Sequence, residues 1–150
     1  MARPEKNRNV FAPPLFSKFK PAGLRITDIQ QVLLSLDEYE ALRLADYDGL
    51  EHSEAAEKMK ISRPTFTRLV TRARQKIAEF IVEGKCLQIE GGAVHFLQNM
   101  IRCLDCGTMY PVALTRKDYS CPQCKSKNFE DLAKSFGHGR CCRRHRGNNS

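Results

Sequence analysis

No run of about 18 apolar residues occurs anywhere in the 150-residue chain, which excludes a helical membrane span. The opening Met1-Ala2-Arg3-Pro4 leads into a polar, basic stretch with no apolar segment of signal-peptide type, so the expected compartment is the cytoplasm, where thiols stay reduced. There is no phosphate-binding glycine loop, no HExxH and no nucleophile elbow, and the acids fall on helix surfaces rather than in an acid/base pair. An enzyme is not expected. No internal repeat is visible.

What is present is positive charge, unevenly spread. The formal net charge is +8. Residues 1–25 carry six basic residues and one acid, and residues 133–150 carry five basic residues and no acid. The stretch between them is nearly neutral, but residues 26–61 are acidic (nine acids, three bases) and residues 62–92 basic (six bases, three acids). One basic helix inside an acidic unit, flanked by basic ends, suits a polyanionic partner that meets one face.

The second conspicuous feature is a pair of cysteine knuckles, Cys103-Leu104-Asp105-Cys106-Gly107 and Cys121-Pro122-Gln123-Cys124-Lys125. Two residues between paired cysteines let both thiolates face one ion from a tight turn, and the intervening residues suffice for a hairpin that returns the second pair. Four thiolates at roughly 2.3 Å suit a structural zinc ion. Iron uses similar ligand pairs and is not excluded by spacing. Two disulfides fit a reducing compartment poorly, and neither Cys-x-x-Cys sits in the strand–helix context of a redox site. Phe96–Arg102 reads as the strand entering the first knuckle and Met109–Leu114 as the strand leaving it, with Tyr110 and Phe129 filling a small core.

Between these features lies a helical pattern. Thr27-Asp28-Ile29-Gln30 fits a capping box that opens a short helix through about Leu33, and Ser35-Leu36-Asp37-Glu38 fits a second one whose helix runs to about Asp48 and stops at Gly49. A third helix begins at Ser53. The fourth is the longest: Ser62 caps it, Pro64 sits in its first turn, Phe66, Leu69, Val70, Ala73, Ile77, Phe80 and Ile81 form an apolar stripe, and Gly84 ends it. The helix from Ser53, a three-residue turn and the helix from Ser62 have the proportions of a helix-turn-helix, with small Ala56 at the close approach. The turn position that often holds Gly is Lys60, which costs about 1 kcal/mol if φ is positive. In that motif Ser62, Arg63, Thr65, Thr67 and Arg68 face bases or phosphates of double-stranded DNA, with Thr71 and Arg72 on the backbone further along.

The stretches Leu36-Asp37-Glu38-Tyr39-Glu40-Ala41-Leu42-Arg43-Leu44-Ala45-Asp46, Glu54-Ala55-Ala56-Glu57-Lys58-Met59, Ser62-Arg63-Pro64-Thr65-Phe66 and Ile89-Glu90-Gly91-Gly92 resemble the uncharacterised protein family 0251, a bacterial and archaeal group of predicted DNA-binding proteins. Phe19-Lys20-Pro21-Ala22-Gly23 fits as well, so the resemblance covers about Arg3 to Gly92. More distantly it is similar to region 4 of sigma factors. The resemblance implies a helix-turn-helix domain (27–92), and the cysteine spacing, outside the resemblance, adds a small antiparallel β zinc ribbon (93–132); together they make a mainly α fold. A basic Pro-rich arm (1–26) precedes them and a basic, disordered tail (133–150) follows.

The resemblance further implies a DNA-binding protein, and the expectation for the whole chain is a sequence-specific transcription regulator in which Cys103, Cys106, Cys121 and Cys124 hold one zinc ion, as their spacing indicates. Two alternatives stand beside it. The Cys-Pro-x-Cys knuckle also resembles nickel-insertion accessory proteins, which implies metal handling for a metalloenzyme, and a ribbon that binds protein implies an RNA-polymerase-associated factor. The tail residues His138, Cys141, Cys142 and His145 read as part of a basic nucleic-acid-binding segment in preference to a second metal site, because adjacent cysteines seldom close a structural site.

Overall fold

The computed structural model describes residues 7–116 and 118–137. The chain forms two compact units, and each is assembled from two pieces: residues 1–9 with 16–94, and residues 10–15 with 95–150. Strand β1 (Arg8–Val10) pairs with β5 (Val94–Phe96) where the chain passes between units. The described residues of the expected arm, from Asn7 onward, are therefore built into the fold. Backbone pairing is the physical reason. In the first unit Arg8 N–H donates to Ala93 C=O at 2.9 Å, and in the second Leu97 and Gln98 donate to Val10 and Phe11 at 2.9 and 2.8 Å. The residues that bury are Val10, Pro13 and Pro14, whereas Phe11, Leu15, Phe16 and Phe19 stay 43–50% exposed.

The first unit runs β2 (Lys18–Phe19), β3 (Gln31–Leu34), α1 (Leu36–Leu42), α2 (His52–Met59), α3 (Arg63–Val82) and β4 (Cys86–Ile89). Its sheet has the order β2-β4-β3, with β4 parallel to β3 and antiparallel to β2. The expected helix after Thr27 is absent. A 3-10 turn at Ile26–Asp28 without a side-chain cap gives way to β3, in which Val32 and Leu34 are buried while Gln31 and Leu33 are exposed, a period of two that only a strand produces. Cys86 is fully buried in β4 as a small core residue. With the sheet of the second unit added, the described residues are about 36% helix and 22% strand. The chain is a mixed α and β protein, and the mainly α expectation is corrected. Strands β1 and β2, of three and two residues, hold too little pattern to be read alone, and β3 finds its partner only after three helices have intervened.

Helix α1 starts as expected. Ser35 Oγ accepts from Glu38 N–H at 3.3 Å and Glu38 Oε1 accepts from Ser35 N–H at 3.0 Å, a complete capping box. A π-helical stretch, Arg43–Tyr47, extends α1, and Gly49 with φ 71° ends it. The core joins Ala41 and Leu44 to Ala55, Ala56 and Met59 of α2 and to Phe66, Leu69 and Val70 of α3, with Ala45, Leu50 and Ile61 packed against them. The apolar stripe of α3 is buried through Ala73, but Ile77 and Phe80 are half-buried and Ile81 is 68% exposed, so the stripe outruns its cover.

A knot of charge secures this unit. Glu38, 3% exposed, accepts Lys76 Nζ of α3 at 2.6 Å on the same Oε1 that holds Ser35. Asp37 beside it pairs with Arg8 and accepts the Ser35 hydroxyl. Leu36 N–H donates to Gly91 C=O at 2.9 Å, and a Cβ at Gly92 (φ +101°) would stand 3.0 Å from Asp37 Oδ1. The Leu-Asp-Glu and Gly-Gly motifs of the sequence meet here.

The second unit is a three-stranded antiparallel sheet, β7 (Met109–Val112), β6 (Asn99–Cys103) and β8 (Phe129–Asp131) in that order, followed by the short α4 (Leu132–Ser135). Ile101, Cys103, Tyr110, Val112, Tyr119 and Cys121 form its core with Phe129 against them, and the Tyr119 and Phe129 rings meet edge to face at 4.9 Å. Order does not stop at Ala133, where the disordered tail was expected to begin. Asn99 is fully buried, and its Oδ1 accepts from Met100 N–H (2.8 Å) and Ala133 N–H (3.0 Å) while its Nδ2 donates to Asp131 (2.7 Å). Those bonds hold α4, with Leu132 and Ala133 buried, and the described chain ends at Gly137. His138, Cys141, Cys142 and His145 lie outside the described residues.

The knot generates a test. Lys76→Met leaves the buried Glu38 carboxylate with the Ser35 donors alone and should cost about 2–4 kcal/mol. Adding Glu38→Gln removes the stranded charge and should recover at least half of that loss, read from urea midpoints at constant m-value. A double variant no more stable than the single one would show that the pair does not act as an ion pair.

Candidate functional site

The two cysteine knuckles are built alike. In the first, Gly107 N–H donates to Cys103 C=O at 3.0 Å and Cys103 N–H to Thr108 C=O at 2.8 Å; in the second, Lys125 donates to Cys121 at 2.8 Å and Cys121 to Ser126 at 2.9 Å. Each turn needs a left-handed residue four positions after its first cysteine, supplied by Gly107 (φ 78°) and Lys125 (φ 62°). Backbone N–H groups of Gln123 and Cys124 point at Cys121 Sγ at 3.4 and 3.5 Å. Asp105 accepts from the Ser126 hydroxyl and from Asn128 Nδ2 (3.4 Å), bonds that tie the knuckles together and lower its carboxyl pKa, Ser126 first.

The four sulfurs of Cys103, Cys106, Cys121 and Cys124 all lie within 4.8 Å of one another, with Cys103–Cys124 and Cys106–Cys121 at 3.5 Å. A tetrahedral ion with 2.3 Å bonds to sulfur needs sulfurs about 3.8 Å apart, so the set fits a metal ion. Its electrostatics agree. The Cys106 thiol is lowered to about 6, chiefly by the Thr108 hydroxyl at 3.1 Å and then by the Thr108 backbone N–H. Cys124 moves the other way: a backbone hydrogen bond from Ser126 favours its thiolate, yet crowding against Cys103, Cys106 and Cys121 pushes it up to about 12. Four anionic sulfurs so close repel one another unless a cation sits among them. Cys103 and Cys121 are buried, Cys106 and Cys124 exposed. Four protein ligands fill a tetrahedral shell and leave no position for substrate, which is the pattern of a structural ion. Tyr110 and Phe129 serve the ribbon core as expected, and burial raises the Tyr110 pKa.

In the first unit α2, a turn at Lys60 and Ile61, and α3 follow one another in sequence. Lys60 is left-handed (φ 57°, ψ 45°); its N–H bonds to the carbonyls of Ala56 and Glu57, and Ile61 N–H reaches Ala56 C=O at 3.0 Å while its side chain packs on the core. This is a Schellman ending with lysine where glycine is usual. Ser62 Oγ accepts from Thr65 N–H at 3.3 Å, capping α3.

The seven residues expected to face DNA separate into two groups. Four hydroxyls have local partners: Ser62 donates to Thr65 Oγ1 (2.8 Å), Thr71 to Thr67 C=O (2.8 Å), and Thr67 Oγ1 lies 2.9 Å from His52 Nδ1. Arg63, Arg68 and Arg72 are exposed and have no ion-pair partner among the described residues. The other cations of α3 are engaged, Lys76 with Glu38 and Arg74 with both oxygens of Asp46 at 2.7 and 2.9 Å. His52 supports this face structurally. Its ring stands edge-on to Phe66 at 5.2 Å and fixes Thr67, fifteen positions away, a link that no spacing rule predicts.

Comparison with known proteins places this architecture. A family described as "Protein of unknown function DUF134" matches residues 1–97. A UPF0251 protein of Chloroherpeton thalassium is 49% identical over 147 residues, covering 96% of this chain and 97% of the relative. The chain belongs to the UPF0251 family. UPF0251 proteins of Pelotomaculum thermopropionicum (43% identity, 88% of this chain, 99% of the relative) and Halothermothrix orenii (44%, 87% and 100%) are also similar. No solved structure matches the chain. The family match ends ahead of Cys103, whereas the alignment with the Chloroherpeton relative is long enough to take in the cysteine knuckles. No helix among the described residues is long and apolar enough to cross a membrane.

One metal equivalent per chain is expected by elemental analysis, and none in a Cys103→Ser/Cys121→Ser double variant. Removal of the ion by a chelator should unfold the ribbon and leave the helical signal of the first unit. Acidification should release the ion, because protons compete for the thiolates. Full metal content in the double variant would sink the assignment.

Proposed function

We propose that this UPF0251 protein binds double-stranded DNA sequence-specifically as a cytoplasmic transcription regulator, with α3 in the major groove and a zinc ion as the structural centre of its ribbon. The observation that carries the reading is the division of cations on α3. Arg74 and Lys76 are held by carboxylates of their own unit, while Arg63, Arg68 and Arg72, on the exposed amino-terminal and central part of the helix, are left for an external anion. A helix of 20 residues is about 30 Å long and of a width that a major groove admits, and arginine is suited to paired hydrogen bonds with guanine edges and to phosphates. A four-thiolate tetrahedral set favours zinc among the common metals.

The metal-handling alternative has one observation in its favour, the exposure of Cys106 and Cys124. A carrier should yield its ion readily to an acceptor, so the rate of zinc transfer to a chromophoric chelator separates the two readings. The regulator predicts slow transfer.

DNA recovered by selection from a random duplex pool should carry an enriched motif. Arg63→Ala and Arg68→Ala should each weaken binding to the selected site by about 1–3 kcal/mol while affecting a scrambled duplex far less. Circular dichroism should show unchanged helical content. Equal losses on both duplexes would reduce α3 to an electrostatic face, and no binding near physiological salt would remove the DNA reading.

A further inference from the structure

All seven glycines among the described residues adopt positive φ, between 64° and 101°. They mark the places where the fold needs a left-handed backbone. Two such places among the described residues hold another residue type, and in both it is lysine: Lys60 (φ 57°) and Lys125 (φ 62°). Asn and Asp are the side chains that tolerate this conformation best, because they can bond locally. Lysine has no such device.

The fold itself does not call for either lysine. Lys60 ends α2 at a Schellman position that glycine fills without strain. Lys125 occupies the position in the second knuckle that Gly107 occupies in the first, with the same backbone hydrogen bond four residues back. Both side chains are exposed, and neither has an ion-pair or hydrogen-bond partner among the described residues. What each contributes beyond glycine is a long, mobile cation. Each also has company: Lys58 and Arg63 flank Lys60, and Lys127 follows Lys125, all exposed and without ion pairs among the described residues. The nearest acid of the first knuckle, Asp105, is taken by Ser126 and Asn128. Residues held in disfavoured backbone regions cluster where the strain serves a function, and a flexible ammonium binds phosphate as a point charge.

We propose that Lys60 and Lys125 are phosphate-contacting residues, one on each unit, and that the second cysteine knuckle is thereby a nucleic-acid-binding surface in its own right. The inference rests on the DNA reading above and adds the ribbon, as well as the turn before α3, to the surface that touches the duplex.

The test uses the full-length, metal-loaded protein with Lys60→Gly, Lys125→Gly and the corresponding arginine variants. Each glycine variant should raise the melting temperature of its unit by a few degrees, since relief of the left-handed strain outweighs the larger unfolded-state entropy of glycine. Each should also weaken binding to selected and scrambled duplexes alike, and should make the slope of log affinity against log salt shallower by about 0.9. The arginine variants should keep the wild-type slope. A higher melting temperature with unchanged affinity and slope would overturn the proposal. Loss of metal from Lys125→Gly with unchanged duplex binding would do the same for the ribbon, by showing that Lys125 offsets the charge of the thiolate centre. If Arg63→Ala and Arg68→Ala lose binding while the glycine variants do not, only this inference fails. If the wild-type chain shows no salt-dependent duplex binding, the DNA reading falls and this one with it.

Discussion

The carboxylate of Glu38 is where the first unit is tied. One oxygen closes the capping box on Ser35 and receives the ammonium of Lys76 from α3, and the neighbouring Asp37 draws in Arg8 from the first strand and crowds position 92, where a φ of 101° already favours glycine. Three segments distant in sequence, at Arg8, Lys76 and Gly92, are set by two adjacent acids. Because a buried carboxylate is costly unless its partners are in place, the arrangement forms as a whole or not at all. The orientation of α3, and with it the direction in which Arg63 and Arg68 point, depends on that closure at the far end of the same helix.

The metal centre is organised by a different logic. Nothing in it reaches far along the chain; two turns of identical hydrogen bonding bring two sulfurs each, and the repulsion among the four supplies the affinity for a cation. A small sheet with a core of seven residues is then sufficient, because an ion of this kind contributes folding free energy directly.

This difference explains what was legible beforehand. The cysteine spacing, the Ser35 box, the Ser62 cap and the stops at Gly49 and Gly84 are events within one or two turns of chain, and each has a residue-type signature. The first three strands have none. Arg8–Val10 and Lys18–Phe19 are two or three residues long, and β3 becomes a strand because Cys86–Ile89 lies beside it, a fact stored more than fifty residues away. The α4 turn depends on a single asparagine at position 99. Ile81 shows the converse error: helical periodicity reports which residues share a face, not how far the cover over that face extends.

Because Val10–Leu15 belongs to the unit otherwise made of residues beyond His95, neither unit is a contiguous stretch of polypeptide. During synthesis the Val10–Leu15 segment precedes the rest of its unit and has no partner there until some eighty residues later, a long loop to close before that unit is complete. A fragment beginning at His95 would carry all four cysteines and the whole β7-β6-β8 sheet and still lack the Val10–Leu15 segment of its unit, so the unit cannot be excised by cutting once. Insertion, duplication or exchange of one half is equally obstructed. The interleaved path makes the two units a single heritable object, even though each has its own core and its own chemistry.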